Sequence, residues 1–350
     1  MKITVLAGGV GGARFLMGLR TELNSTHPND EGGTTAEITA VVNTGDDLWL
    51  AGLRVCPDLD SIMYALAGAN DTERGWGRAG ETERVSAEIS AYGVGWPWFT
   101  LGDLDLGTHI ARSHWLREGL TLTQATAKLL ERWPLGVRLL PATNDRAETH
   151  VTVADTDGTL GADLVTGATR SIHFEEWWVR HRAALPALAF DQLGIETAHA
   201  TPEAVTAIQT ADIVLIAPSN PVVSIGTILA IPGIREALAE TSAPVIGVSP
   251  IISGAAVRGM ADACLTAIGV EVSAAAVARH YGSREAGGLL DAWLVDEADA
   301  AAAAELSAAG IRATAVPLWM SDESTSAALA RAALAAALRP DPAHALGLNL

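Results

Sequence analysis

Two adjacent carboxylates, Asp46 and Asp47, follow the apolar run Ile38–Val42, and Asp58 and Asp60 lie a short distance on. Oxygen ligands in this number suit magnesium, which takes one or two carboxylates and keeps its other positions for phosphate and water. Alternatively, one aspartate here accepts a proton from an attacking hydroxyl. Asp58, in the first turn of the run Pro57–Leu66, also reads as a helix cap. Gly8, Gly9, Gly11 and Gly12 follow the apolar run Ile3–Leu6 and open a helix. Glycines let amides converge on an anion, and a helix start adds partial positive charge. A tight strand-to-helix turn that needs glycine only for packing would use the same residues. Arg14, just inside that helix, reads either as a phosphate contact or as a solvated side chain. Ser219 and Asn220 follow Ile213–Ile216, and Ser249, Ser253 and Gly254 follow Val245–Val248. Such small polar groups suit nucleotide recognition, although turn formation alone also explains them. Asp103 and Asp105 precede His109, a histidine that reads as a phosphate contact or as the partner of an aspartate.

The elements that position these loops read as short buried strands alternating with helices. Strands are expected at Ile3–Leu6, Ile38–Val42, Val137–Leu140, Thr149–Ala154, Ile213–Ile216, Val245–Val248, Leu290–Val295 and Ile311–Val316. Helices are expected at Gly12–Leu23, Phe174–Arg182, Asp296–Ala309 and Glu323–Leu338. This alternation predicts an α/β protein: a Rossmann-like parallel sheet covered by helices on both faces. Loops at the carboxyl ends of such strands share one crevice, which is where the ligand binds. Residues from about 70 to 200 read as a mainly helical, Trp-rich insertion in a single domain spanning 1–340, with 341–350 as a tail. The insertion holds Trp76, Trp96, Trp98, Trp115, Trp133, Trp177 and Trp178. Each reads first as core, with one or two free to stack on a flat heterocycle.

Composition excludes several classes. A net charge of −18 argues against nucleic acid, which needs a basic footprint. No apolar run reaches the roughly 18–20 residues of a membrane span, so no membrane role is expected. Cys56 and Cys264 are the two cysteines and give no disulfide framework, which suits a reducing cytoplasm. Lys2 and Lys128 are the two lysines, so no P-loop lysine is available. Phosphate charge must then be met by amides, arginine or bound metal.

Taken in order, Ala7–Ala13, Asn43-Thr44-Gly45-Asp46-Asp47-Leu48-Trp49, Pro57-Asp58-Leu59-Asp60, Leu101-Gly102-Asp103, Leu140–Asp145, Pro218-Ser219-Asn220-Pro221 and Ser249-Pro250-Ile251-Ile252 form a specific string. The string resembles the 2-phospho-L-lactate transferase family of coenzyme F-420 biosynthesis. The resemblance implies a magnesium-dependent enzyme that moves a phosphorylated three-carbon acid from a guanosine diphosphate-linked donor onto the hydroxyl of the deazaflavin FO, releasing GMP. It further implies a cytoplasmic homodimer. On this reading Asp46 is the catalytic residue, Asp46, Asp47 and Asp60 contact FO, and Asp46 and Asp60 hold Mg²⁺. Gly8, Gly9, Gly11, Gly12, Ser219, Asn220, Ser249, Ser253 and Gly254 take the guanosine diphosphate portion. Leu104 stands where many members have arginine, and Gly107 where they have alanine. Met260 stands where archaeal members tend to have proline. With Arg14 and the run Cys56–Asp58, the chain is similar to the actinobacterial branch, whose acid is phosphoenolpyruvate rather than phospholactate. The alternative is a nucleotide-sugar-binding regulator of the gluconeogenesis-factor type. Such proteins share the Gly-rich start but lack the Asn43–Trp49 and Pro57–Asp60 strings. A NAD-dependent dehydrogenase is disfavoured because the dinucleotide glycine spacing and its following acid are missing.

Overall fold

The computed structural model describes residues 1–154 and 169–338, so the expected tail 341–350 lies outside the described residues. Seven parallel strands make the main sheet. They are β1 (Lys2–Ala7), β2 (Glu37–Val42), β3 (Arg138–Pro141), β4 (Ile213–Ile216), β5 (Val245–Val248), β6 (Ala292–Val295) and β7 (Arg312–Ala315). Across the sheet they run β3-β2-β1-β4-β5-β6-β7. β1 pairs in register with β2 on one side and with β4 on the other. The chain therefore leaves β1 outward to β3 and returns to the opposite side at β4. That reversal opens a crevice at the carboxyl ends of β1 and β4.

The apolar runs are continuous rather than alternating because both faces of these strands are buried. On one face Val5, Leu215, Ile246 and Leu294 pack under α1 (Gly9–Thr26), α2 (Pro57–Leu66) and α4 (Glu323–Leu338). On the other, Leu6, Val214, Ile216 and Trp293 pack with Ile225, Ile228 and Val277. α1 and α4 touch backbone to backbone, and a Cβ at Gly18 would collide with the Ser326 main chain. The expected helix at Glu323–Leu338 and the strands from Ile213 onward agree with these elements, with boundary shifts of a few residues.

The segment from 70 to 200 carries the two strands expected at Val137–Leu140 and Thr149–Ala154 but is less helical than the mainly helical insertion expected. Its first part is helical, with Arg84–Ala91, α3 (Asp103–Arg117) and Leu122–Leu130. β3 then belongs to the main sheet as its edge strand, paired with β2. After it comes a separate antiparallel sheet with Glu148–Ala154 between Thr169–His173 and Ala187–Leu193. Alternating burial along Glu148–Ala154 marks it as a half-buried strand. The expected helix Phe174–Arg182 contains a single π-turn at Glu176–Arg180. No described helix is long and apolar enough to cross a membrane.

Candidate active site

A cavity of about 720 Å³ opens at the strand-order reversal. The Gly8–Gly11 turn after β1, the loop carrying Asp46 after β2, the loop Pro218–Ser224 after β4 and Ser249-Pro250 after β5 all line it. The first turn of α2 brings Asp58 and Asp60, and one side of α3, from the insertion, brings Asp105 and His109.

Asp46, Asp58 and Glu175 form an acidic floor. All three side chains are buried, and among the described residues no arginine, lysine or histidine lies within ion-pair distance of any of them. Asp46 Oδ1 is buried without a hydrogen-bond partner. Burial holds the Asp46 carboxyl well above the usual carboxylate range, and the charges of Asp58, Glu175 and Asp47 push it the same way. Glu175 is pushed up to about 8 by burial and then by Asp58. Asp58 is raised to about 6 by burial, held down by hydrogen bonds from Asn43 and from the Gly9 amide. Asn43 Nδ2 donates to Asp58 Oδ2 at 2.9 Å, while its Oδ1 accepts from Gly45 at 2.9 Å. Asp58 therefore does not cap its own helix, where Cys56 is the N-cap and Pro57 follows. Its carboxylate crosses instead to the start of α1, and a Cβ at Gly8 would lie 2.7 Å from Asp58 Oδ2. Buried acids, one orphaned oxygen and no cation together match the donor set of a hard divalent ion.

The neighbouring acids are matched by arginines. Asp47 is fully buried behind the floor, outside the cavity lining, with Arg54 Nη2 at 3.3 Å. Arg54 also reaches Glu148 at 3.4 Å. Burial still raises Asp47 to about 6, with Arg54 the chief opposing influence. Asp60 lines the cavity but is gripped by both terminal nitrogens of Arg112, which is 1% exposed. His109 lies between Asp60 (Nδ1 at 3.5 Å) and Asp105 (Nε2 at 3.3 Å), and Tyr64 donates its hydroxyl to Asp105 at 2.7 Å. Ligand atoms of Asp60, Asp105 and His109 lie within 4.8 Å of one another, a second geometric candidate for a cation. The Arg112 guanidinium beside Asp60 opposes that use. His109 thus serves as an aspartate partner, one of its two expected roles.

Several expected nucleotide contacts are occupied within the fold. Ser219 Oγ accepts from the Gly8 amide at 3.0 Å and donates to the Gly8 carbonyl at 2.7 Å. Asn220 Oδ1 accepts from Val222 and Val223, and its Nδ2 donates to Cys264 Sγ. Ser249 Oγ closes a turn with Ile251. Ser253 and Gly254 lie outside the cavity lining, as does Gly12, where a Cβ would meet Ala7 at 2.9 Å. Gly8, Gly9 and Gly11 do line it, and Gly9 has φ +59°. These polar side chains shape the loops, leaving the exposed backbone to meet a ligand.

Trp76, Trp98, Trp178 and Trp319 form apolar walls of the cavity, whereas Trp177 is core. Arg14, Arg74 and Arg258 stand around it as well. Leu104 points away, 42% exposed and absent from the lining. Sequence reasoning did not find Glu175, Arg54, Arg112, Arg258 or Trp319. Arg112 and Glu175 act through Asp60 and Asp58, far away in sequence, and Glu175 has only its place in an expected helix to mark it.

Residues 3–332 match the family model described as 2-phospho-L-lactate transferase CofD. Similar proteins include one named phosphoenolpyruvate transferase from Thermobifida fusca, 54% identical over 338 residues, covering 97% of this chain and 98% of the relative. A protein of the same name from Mycobacterium avium is 50% identical over 343 residues, covering 95% and 98%. Among solved structures, a UPF0052 family member from Bacillus halodurans shares the fold, with a TM-score of 0.57 and 18% identity, covering 95% of this chain and 99% of that one.

Proposed function

The chain belongs to the 2-phospho-L-lactate transferase family and is a transferase of coenzyme F-420 biosynthesis; from that premise we propose that it moves a phosphoenolpyruvyl group from a guanosine diphosphate-linked donor to FO. The observation that carries this reading is the unneutralised floor of Asp46, Asp58 and Glu175 beside the Gly8–Gly11 turn, at the point where strand order reverses. Anionic groups cannot approach that floor without a cation. Asp46, Asp58 and Glu175 would hold Mg²⁺, which would offset charge on the transferred phosphoryl group. Asp60, bound by Arg112, would position α3 rather than supply a metal oxygen.

In the reaction the FO hydroxyl oxygen attacks the phosphorus that carries the acid. The bond from that phosphorus to the bridging oxygen breaks, and GMP leaves with the bond's electron pair. The hydroxyl proton passes to a carboxylate, and the orphaned Asp46 Oδ1 is our choice. Trp76, Trp98 and Trp178 offer faces for the flat deazaflavin. The relatives named phosphoenolpyruvate transferase support the enolpyruvyl donor over the phospholactyl one. The cytoplasmic homodimer belongs to the same proposal, and sedimentation of the purified chain checks the dimer.

The test supplies FO, Mg²⁺, GTP, a guanylyltransferase that makes the donor, and either phosphoenolpyruvate or phospholactate, and weighs the deazaflavin product. An adduct two hydrogens lighter than the phospholactyl product is expected. No adduct from either acid would refute the FO transferase reading. Tight binding of a UDP-sugar without FO turnover would favour the regulator instead.

A further inference from the structure

Besides its acidic floor, the cavity is lined by Arg14 and Arg258, Arg14 from the first turns of α1 and Arg258 from the loop after β5. The chain has 41 acidic residues against 23 basic ones, yet among the described residues neither arginine has a carboxylate within ion-pair distance. Arg74, which also lines the cavity, differs: it is paired with Glu83 at 2.8 Å.

One guanidinium is hydrogen-bonded to backbone and the other packs against it. Arg14 Nη1 donates to the Met320 carbonyl at 2.9 Å. Arg258 lies against Gly75, where φ is +82° and a Cβ would stand 2.6 Å from Arg258 Nη2. The two arginines are near enough for the charge of Arg258 to depress the Arg14 guanidinium, adding to the effect of burial. Like charges brought together and left without a counter-ion repel until an anion enters between them. Planar guanidiniums match carboxylate and phosphate oxygens in paired hydrogen bonds.

We propose that Arg14 and Arg258 form a two-arginine clamp for an anionic group of the donor, either the carboxylate of its three-carbon acid or its diphosphate. This rests on the transfer reading above and adds to it a source of donor selectivity separate from the acidic floor. FO, whose deazaflavin and hydroxylated side chain carry no such group, should not depend on the clamp. The two arginines are positioning and specificity residues, distinct from the carboxylates assigned to the chemistry.

The experiment uses the full-length chain with Arg14→Gln, Arg258→Gln and the double substitution, in steady-state kinetics with donor and FO varied separately. Each single change should raise the donor KM about 10- to 100-fold, the scale of one charge-assisted hydrogen bond. The FO KM should move less than about 3-fold, and melting temperatures should stay near wild type because both side chains are exposed. Inhibition by GDP, which carries both phosphates and no carboxylate, separates the two ligand groups: an unchanged inhibition constant assigns the clamp to the carboxylate, and a parallel rise assigns it to the phosphates. A wild-type enzyme that turns over while both variants keep the wild-type donor KM would overturn the clamp alone. A wild-type chain that forms no FO adduct would instead overturn the transfer reading beneath it.

Discussion

Asp46 and Asp47 are consecutive residues in opposite electrostatic settings. Asp46 faces the cavity, with Asp58 and Glu175 as neighbours and only Asn43 easing its charge. Asp47 faces the other way, where Arg54, the Cys56 thiol and Arg112 all ease it. The same contrast recurs two residues apart on α2, where Asp58 joins the unpaired floor and Asp60 is gripped by Arg112. An acid matched inside the chain is part of its architecture. An acid buried without a match leaves a demand for positive charge that only a ligand can meet.

The sharpest way to break this comparison is Asp46→Asn. It keeps size and hydrogen bonding but removes the charge, and turnover should fall roughly 10²-fold or more. Melting temperature should hold or rise, since a repulsive charge is gone. A clear loss of stability with near-normal turnover would place Asp46 in the architecture instead.

Arg112→Met should do the reverse. It strands Asp60 in a buried setting, and denaturant melts should show a loss of about 3–5 kcal/mol. A stability within about 1 kcal/mol of wild type would mean that the buried pair is dispensable. Asp47→Asn should cost less, about 1–3 kcal/mol, because the amide still accepts a hydrogen bond and Arg54 keeps Glu148. Turnover per folded molecule should remain within about 3-fold of wild type, and a loss comparable to that of Asp46→Asn would erase the distinction between the neighbours.

The smallest effect is a pH slope. In the folded chain Glu175 titrates at about 8 and Asp58 at about 6, both above their ordinary values. The folded state therefore binds more protons than the unfolded state between about pH 4 and 8, so the stability of metal-free protein falls as pH rises through that window. Mg²⁺ needs deprotonated oxygens, so its stabilising effect should be larger at pH 8 than at pH 6. Thermal melts with and without Mg²⁺ measure both trends, and Glu175→Gln should flatten the metal-free slope. An equal slope in wild type and Glu175→Gln would show that Glu175 does not titrate there.

What was legible in the sequence follows the range of the interactions. Ile3–Leu6, Ile213–Ile216 and Val245–Val248 read as strands because sheet burial on both faces writes an unbroken apolar run. β3 reads as a strand but falls in the insertion by sequence, since nothing local says that it pairs with β2 about a hundred residues earlier. The aspartates stood out by type, but their partition into paired and unpaired did not. Arg112 meets Asp60 across 52 residues, and Glu175 arrives from the connection between two strands of the antiparallel sheet. Ser219, Asn220 and Ser249 looked like ligand groups because turn-forming and ligand-binding residues share the same chemistry. Only geometry shows their hydrogen bonds already committed to the loops.

The central claim is that the unpaired floor is the cation site, and two geometric candidates compete for that role. Thermal shift under Mg²⁺ titration, each protein compared with its own metal-free melt, decides between Asp46→Asn and Asp105→Asn. Wild type and Asp105→Asn should show a saturable rise in melting temperature, and Asp46→Asn should lose it. A rise that survives in Asp46→Asn and disappears in Asp105→Asn would move the metal to the Asp60–Asp105–His109 group and contradict the account.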